Sequence, residues 1–198
     1  MKINIDILSS LLACKANQHN FDKYWKTLDL DNKIDISKNK YTPINILIKL
    51  STDSTGCLSE GLACNPSTPA SILAELSTAE DYYIRDRVAS NIATPPYILA
   101  KLSQTNDMNN RYYVAGNPST SIDTLTKLSN DANHIVRAKV AENPSTPLEI
   151  LEKFAKDISS AVREGVINNM STPIEILKIL FTEENIWLRD SVKIHPNW

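Results

Sequence analysis

Glycine is scarce in this chain, with four among 198 residues. That excludes the glycine-rich loops whose backbone amides cradle phosphates. Cysteine is scarcer still: Cys14, Cys57 and Cys64 leave an odd one over and form no paired framework. They are expected to be small buried thiols in a reducing compartment. His19, His134 and His195 stand singly, in no metal-ligand spacing. No excess of positive charge exists either, since 21 Lys and Arg face 23 Asp and Glu for a net charge of −2. A surface that neutralises phosphates needs a basic stripe, so nucleic acid is not expected as a partner. No apolar run approaches the ~18 residues of a membrane span, so a membrane partner is not expected and a cytoplasmic location is. Leu11-Leu12-Ala13-Cys14 has the form of a lipoprotein cleavage box, but Asn4, Asp6, Ser9 and Ser10 interrupt the segment before it. Nucleophile motifs and dinucleotide fingerprints are missing as well, and the repeated Ser and Thr read as caps, so no enzyme is expected.

What the chain has instead is a 26-residue period. Asn39, Asn65, Asn91, Asn117, Asn143 and Asn169 open six copies, at 39–64, 65–90, 91–116, 117–142, 143–168 and 169–194. Thr42, Thr68, Thr94, Thr120, Thr146 and Thr172 follow them in fixed register. A constant period of this length marks a solenoid, in which each unit buries its apolar face only against its neighbours.

The fifth copy, NPSTPLEILEKFAKDISSAVREGVIN, shows the local grammar. Thr146 is placed to cap a helix, with Pro147 at its first position and Glu149 completing a capping box that Thr172 and Glu175 repeat. Ile150, Leu151 and Phe154 follow Pro147 at helical spacing, which predicts a first helix of about nine or ten residues. A second, shorter helix is predicted around Ala161 to Ile167, ended by an Asn that tolerates the left-handed conformation. No strand is predicted. Leu47, Leu73, Leu99, Leu125, Leu151 and Leu177 form one core column, and Leu62, Val88, Val114, Val140, Val166 and Val192 the facing one.

Arg85, Arg111, Arg137, Arg163 and Arg189 form a further ladder, with Ser59 in its place in the first copy. A row of anion sites is one reading. The favoured one is structural: each guanidinium uses its five donors to tie turns together, reaching back to the preceding repeat, which the first copy lacks. The Asn column, sitting in a turn, is expected to bond backbone rather than ligand.

With NPSTP-x-x-I-L-x-x-L followed by V-R-x-x-V, the units resemble the leucine-rich repeat variant family over residues 39–194. The resemblance implies an all-α fold, a right-handed α-solenoid or superhelix of six helix–short-helix repeats, the second helix often 3₁₀-like. The 26-residue period departs from the family's usual length of about 24, and suggests a longer loop or fuller second helix, shading towards HEAT-like solenoids. Some relatives carry an iron–sulfur segment before the repeats; Cys14 alone cannot hold such a cluster, so no cofactor is carried over.

Residues 1–38 lie outside the repeat and read as a helical cap. Ile7, Leu8, Leu11 and Leu12 share one face and Phe21, Tyr24, Trp25 and Leu28 another; the alternative is a docking element with Tyr24 and Trp25 exposed. Residues 195–198, His-Pro-Asn-Trp, read as a truncated seventh copy. The sixth copy is unusually apolar at Ile179, Phe181 and Trp187, so either Trp198 folds back over it or a second chain covers it, giving a monomer or a weak homodimer.

Function belongs where the copies disagree, because the constant columns serve folding. The candidate partner-binding residues are Tyr82, Tyr83, Asp86, Tyr112, Tyr113, His134 and Trp187, the tyrosines lying near acidic Glu80, Asp81, Asp86 and Asp107. The leading expectation is a non-enzymatic protein-interaction scaffold. The alternative is an immunity or antitoxin-type inhibitor that covers the active site of a toxic effector.

Overall fold

The computed structural model describes residues 25–53, 56–182 and 186–198, and among these the only regular elements are helices. The expectations placed on Ile7 to Tyr24, including Cys14 and His19, lie outside the described residues. The chain divides into two compact units, Met1–Ala93 and Thr94–Trp198. The N-terminal unit contains α1 (Leu30–Lys38), α2 (Ile44–Ser51), α3 (Gly56–Cys64), α4 (Ala70–Leu76) and α5 (Tyr82–Ser90). The C-terminal unit contains α6 (Pro96–Leu102), α7 (Met108–Gly116), α8 (Ile122–Leu128), α9 (His134–Glu142), α10 (Leu148–Phe154), α11 (Ser160–Asn168), α12 (Ile174–Phe181) and α13 (Ile186–Lys193).

Each repeat is a helix pair, but in the first five the lengths are the reverse of the expected ones, and in the sixth they are equal. In the fifth copy the first helix has 7 residues and the second has 9, and both are α-helical rather than 3₁₀. The second helix supplies the buried column of each unit, with Val88 in the N-terminal one and Val114, Val140, Val166 and Val192 in the C-terminal one each fully buried. Facing them, Leu47, Leu73, Leu99, Leu125, Leu151 and Leu177 are equally inaccessible. Burying one such side chain stabilises the fold by roughly 1.5–3 kcal/mol.

The caps also differ from expectation. Pro147 is itself the N-cap, with extended backbone, and its carbonyl accepts from the amides of Ile150 and Leu151 at 3.0 and 3.1 Å. Proline suits this place because its φ is already fixed and its missing N–H leaves no orphan donor. Thr146 is not a cap: its hydroxyl donates to the carbonyl of Val140, at the end of the preceding helix. Thr42, Thr68, Thr120 and Thr172 make the same bond at 2.6–2.7 Å. The capping boxes at Glu149 and Glu175 accordingly do not form, and no side chain caps α10 or α12. Where Ser121 replaces the proline, its hydroxyl does accept from the Thr124 amide.

Asparagine ends the second helix without entering the left-handed region; Asn143 has φ −70° and ψ 126°. Its side chain instead holds two turns together. Asn143 Oδ1 accepts from the Ser145 amide, while Nδ2 donates to the carbonyls of Ala115 and Asn117 one repeat earlier. Asn65, Asn91 and Asn169 repeat this pattern. His195 occupies the same position in the C-terminal stub. Its Nδ1 accepts from the Asn197 amide and its Nε2 lies 3.2 Å from the Asn169 carbonyl, so the imidazole takes the part of the amide.

Residues before the first Asn also follow the period. α1 stands 26 residues ahead of α3, with buried Ile36 in the valine column and Lys33 at the arginine position. Trp25 is buried with Ile36, Ile46, Leu47 and Leu50, so it is core and not an exposed anchor. At the other end Trp198 folds back onto Phe181, with ring centroids 4.7 Å apart.

Candidate functional site

The residues singled out for binding all lie on second helices, Tyr82, Tyr83, His134 and Trp187 in the first turn and Asp86, Tyr112 and Tyr113 in the second. Asp81 and Asp107 stand at the N-caps of α5 and α7, where their carboxylates accept from the amides of Tyr83 and Asn109 at 2.9 Å. After Asp81 the next two residues, Tyr82 and Tyr83, are exposed, and the third, Ile84, is buried. Tyr82 is 60% exposed, whereas Asp86, one turn on, is buried at 7%. Asp86 is therefore not a surface acid, because its helix turn faces the core. Three of the four acids near the tyrosines, Asp81, Asp86 and Asp107, thus serve the fold, while Glu80 is exposed.

In the N-terminal unit, Arg87 lies over the Tyr83 ring, 4.4 Å from its centroid, and donates to the Tyr83 hydroxyl. That hydrogen bond comes first among the causes raising the Arg87 pKa above its ordinary value. In the C-terminal unit, half-buried Tyr112 and Tyr113 meet edge to face at 5.4 Å. Lys139 approaches the Tyr112 ring at 5.5 Å and pairs with Glu142 at 2.8 Å, which holds its pKa above the usual lysine value. Both units thus carry an aromatic ring backed by a cation, and each pair belongs to its own unit. His134 is exposed at the start of α9, and Trp187 is 84% exposed on α13.

The arginine ladder is structural in form, and the bonds between repeats described at Arg111 and Arg137 run forward rather than back. Arg137 donates through Nη1 to the carbonyls of Asp131 and Ala132 in its own loop. Its Nε and Nη2 reach forward to the Asp157 carboxylate of the next repeat, at 2.9 and 3.0 Å. Arg111 does the same with the Thr105 carbonyl and Asp131. Arg85 and Arg163 each bridge the two carbonyls of their own loops. The direction follows from helix geometry: the side chain leans back over its own N-terminal turn, and only the fork's second edge is left for the neighbour. Burial alone would raise the Asp157 carboxyl, but the Arg137 guanidinium and the Ser159 amide together hold it below the ordinary value.

No family model matches the chain, and no curated protein does. Among solved structures, the chain is similar to one described as "a leucine-rich repeat variant with a novel repetitive protein structural motif", with a TM-score of 0.59 and 17% identity, covering 96% of this chain and 82% of that one. The fold is that of a leucine-rich repeat variant.

Within this leucine-rich-variant fold, Cys57 and Cys64 are exposed rather than buried, since the seam position on α3 falls to Leu62. Among the described residues no group of three His, Cys, Asp or Glu could hold a metal ion, and no helix is long and apolar enough to cross a membrane. Two departures from the repeat were missed in the sequence. Asn110 stands in the core column of Leu58, Ile84, Val136, Val162 and Leu188 and is fully buried. Glu75 stands where Lys49, Lys101, Lys127 and Lys153 stand in other copies, beside a cavity of about 280 Å³. Reading charge and polarity column by column, instead of summing over each repeat, would have found both.

Proposed function

We propose that the protein is a non-enzymatic scaffold that binds another protein through the variable positions of its second helices. The observation that carries this is the exposure of Trp187, at 84%, and of Tyr82, at 60%, on rigid helices whose other faces are core. Large rings held out from a fixed backbone lose little conformational entropy on binding, and such residues supply much of the energy at interfaces. Tyr83 and Tyr112, each beside a cation, extend the surface within their own units. His134 is the polar member of the same set.

The test is a cross-linked pull-down from the native cell with the wild-type chain, Tyr82→Ala and Trp187→Ala. The expected result is one stoichiometric protein whose capture falls with at least one substitution while the melting temperature stays nearly constant. Equal capture by all three chains would overturn the reading. The inhibitor alternative has less support, because three of the four acids that would present a decoy surface are occupied, Asp81 and Asp107 as caps and Asp86 in the interior, which leaves only Glu80 exposed without such a role.

A further inference from the structure

In the repeats whose arginine contacts are described, one guanidinium fills the same niche between the second helix and the loop before it. Arg85, Arg111, Arg137 and Arg163 each place Nη1 on the carbonyl six residues earlier, at 2.6–3.0 Å. The first repeat has Ser59 there, and the carbonyl six residues earlier is that of Asp53. A serine is too short to fill the niche, and a cavity of about 280 Å³ lies at this place, lined by Ser51, Asp53, Ser59, Leu62, Glu75 and Leu76. The cavity shows in the core as well. Leu50, Leu102, Leu128, Phe154 and Leu180 are buried, whereas Leu76 in the same column is only half-buried.

Charge is inverted at the same point. Lys153, one of the lysines of the Glu75 column, reaches back to the Ser129 carbonyl and the Asn130 side chain at 3.3 and 2.8 Å. By register, Glu75 faces Ser51. Two cations that occupy this region in later repeats are thus replaced by a neutral and an acidic side chain. Asp53 and Glu75 supply two carboxylates, and Lys33, 2.6 Å from Asp53, offsets one of them. A single positive charge completes the balance, while a divalent metal would be repelled by Lys33.

We propose that this cavity binds a guanidinium group from outside the chain, in the niche that arginine fills within the other repeats. The planar fork matches a carbonyl and a carboxylate edge together, and it sheds water more easily than an ammonium group. The volume is near the lower end of small-ligand sites, roughly 300–1,000 Å³, which suits one side-chain head and not a larger molecule. The group comes either from an arginine of a bound polypeptide or from a free small molecule. The site does not depend on the aromatic surface proposed above, and either can fail alone.

The experiment is an NMR titration of the full chain with methylguanidinium, with methylammonium and sodium chloride at matched ionic strength. The expected result is a saturable shift of amides near Ser59, Leu62, Glu75 and Leu76 with methylguanidinium alone. Ser59→Arg, which fills the niche in cis, and Glu75→Lys, which restores the column's cation, should each weaken binding about tenfold or more, the loss expected when a charged hydrogen bond is removed. N-acetyl-arginine amide binding at least as tightly as methylguanidinium identifies a polypeptide arginine as the ligand; weaker binding than free arginine identifies a small molecule. No saturable shift, an equal response to methylammonium, or unchanged binding in both variants overturns the proposal.

Discussion

Between the fourth and fifth repeats, Arg137 ties its own loop to Asp157 of the next copy; between the first and second, the corresponding residues are Ser59 and Ala79. The amide ladder is present in both regions, with Asn65 and Asn91 bonding in the N-terminal unit as Asn143 and Asn169 do in the C-terminal one. One polar column is therefore kept where the other is given up. The reason is burial. The Asn amides donate to carbonyls in the buried seam, where water has almost no access. The arginine rungs lie nearer the surface, with Arg137 and Asp157 side chains 15% and 10% exposed, and water can take over part of their work. A column of the second kind can be broken in one repeat and the vacancy put to another use.

Breaking the constant column should have the largest effect. Asn143→Ala strips the donor from the Ala115 carbonyl, one of two donors from the Asn117 carbonyl, and an acceptor from the Ser145 amide. Each buried group left unsatisfied costs about 1–3 kcal/mol, so a loss of several kcal/mol is expected in urea unfolding. A loss no larger than that of Arg137→Met would reverse the ranking of the two columns.

Helix approach sharpens the same contrast. A Cβ on Gly165 would lie 2.6 Å from the Ala138 carbonyl oxygen, a backbone atom of the adjacent helix that cannot turn aside. On Gly116 the nearest atoms belong to the flexible Lys139 stem. Gly165→Val should cost roughly 1–3 kcal/mol, as overpacking does, and Gly116→Ala much less. Equal melting temperatures for the two variants would show that the α9–α11 seam yields more easily than its geometry implies.

The periodic part of this architecture was open to reading from the chain alone, because core columns repeat every 26 residues and a buried leucine has few substitutes. Direction was not. Whether Arg137 reaches forward or back, and whether the Thr146 hydroxyl accepts at a helix start or donates to the Val140 carbonyl, depends on side-chain orientation, which spacing does not encode. Helix length departs from the expected Ala161 to Ile167 for a related reason: α11 takes in polar Ser160 and Asn168 at its two ends, where no apolar spacing marks the helix. The surface was legible only as residue types. Tyr82 and Trp187 are exposed, while Asp86 differs from them by burial alone, and burial depends on the neighbouring repeat.

Arg137→Met tests the dispensable column directly. It removes a charge-assisted bond to a carboxylate near the surface, and a loss of about 1–2 kcal/mol is expected. The pH dependence carries the sign. Asp157 is held below its ordinary value in the folded chain, so its contribution is fully present above the unfolded value of about 3.9 and fades as the pH falls below it. The gap in melting temperature between wild type and variant should therefore be widest near neutrality and close under acid. A gap independent of pH would assign the effect to lost packing of the arginine stem.

The smallest expected change is a gain. Asn110 is fully buried at a position that is Leu, Ile or Val in the other copies, and neither its Nδ2 nor its Oδ1 has a hydrogen-bond partner among the described residues. An amide in such a place costs about 1–3 kcal/mol in protein substitution data, and valine returns the position to its column. Part of that gain is lost because the shorter, branched valine does not match the shape the planar amide occupies and its neighbours must repack, so Asn110→Val should stabilise the chain by about 1 kcal/mol. The contrast with Asn143 is the point of the measurement: the same residue type, equally buried, stabilises where the neighbouring turn offers carbonyls and destabilises where the neighbouring column is apolar. A fall in stability on Asn110→Val would mean that this amide, too, is satisfied, by a water held inside the third repeat.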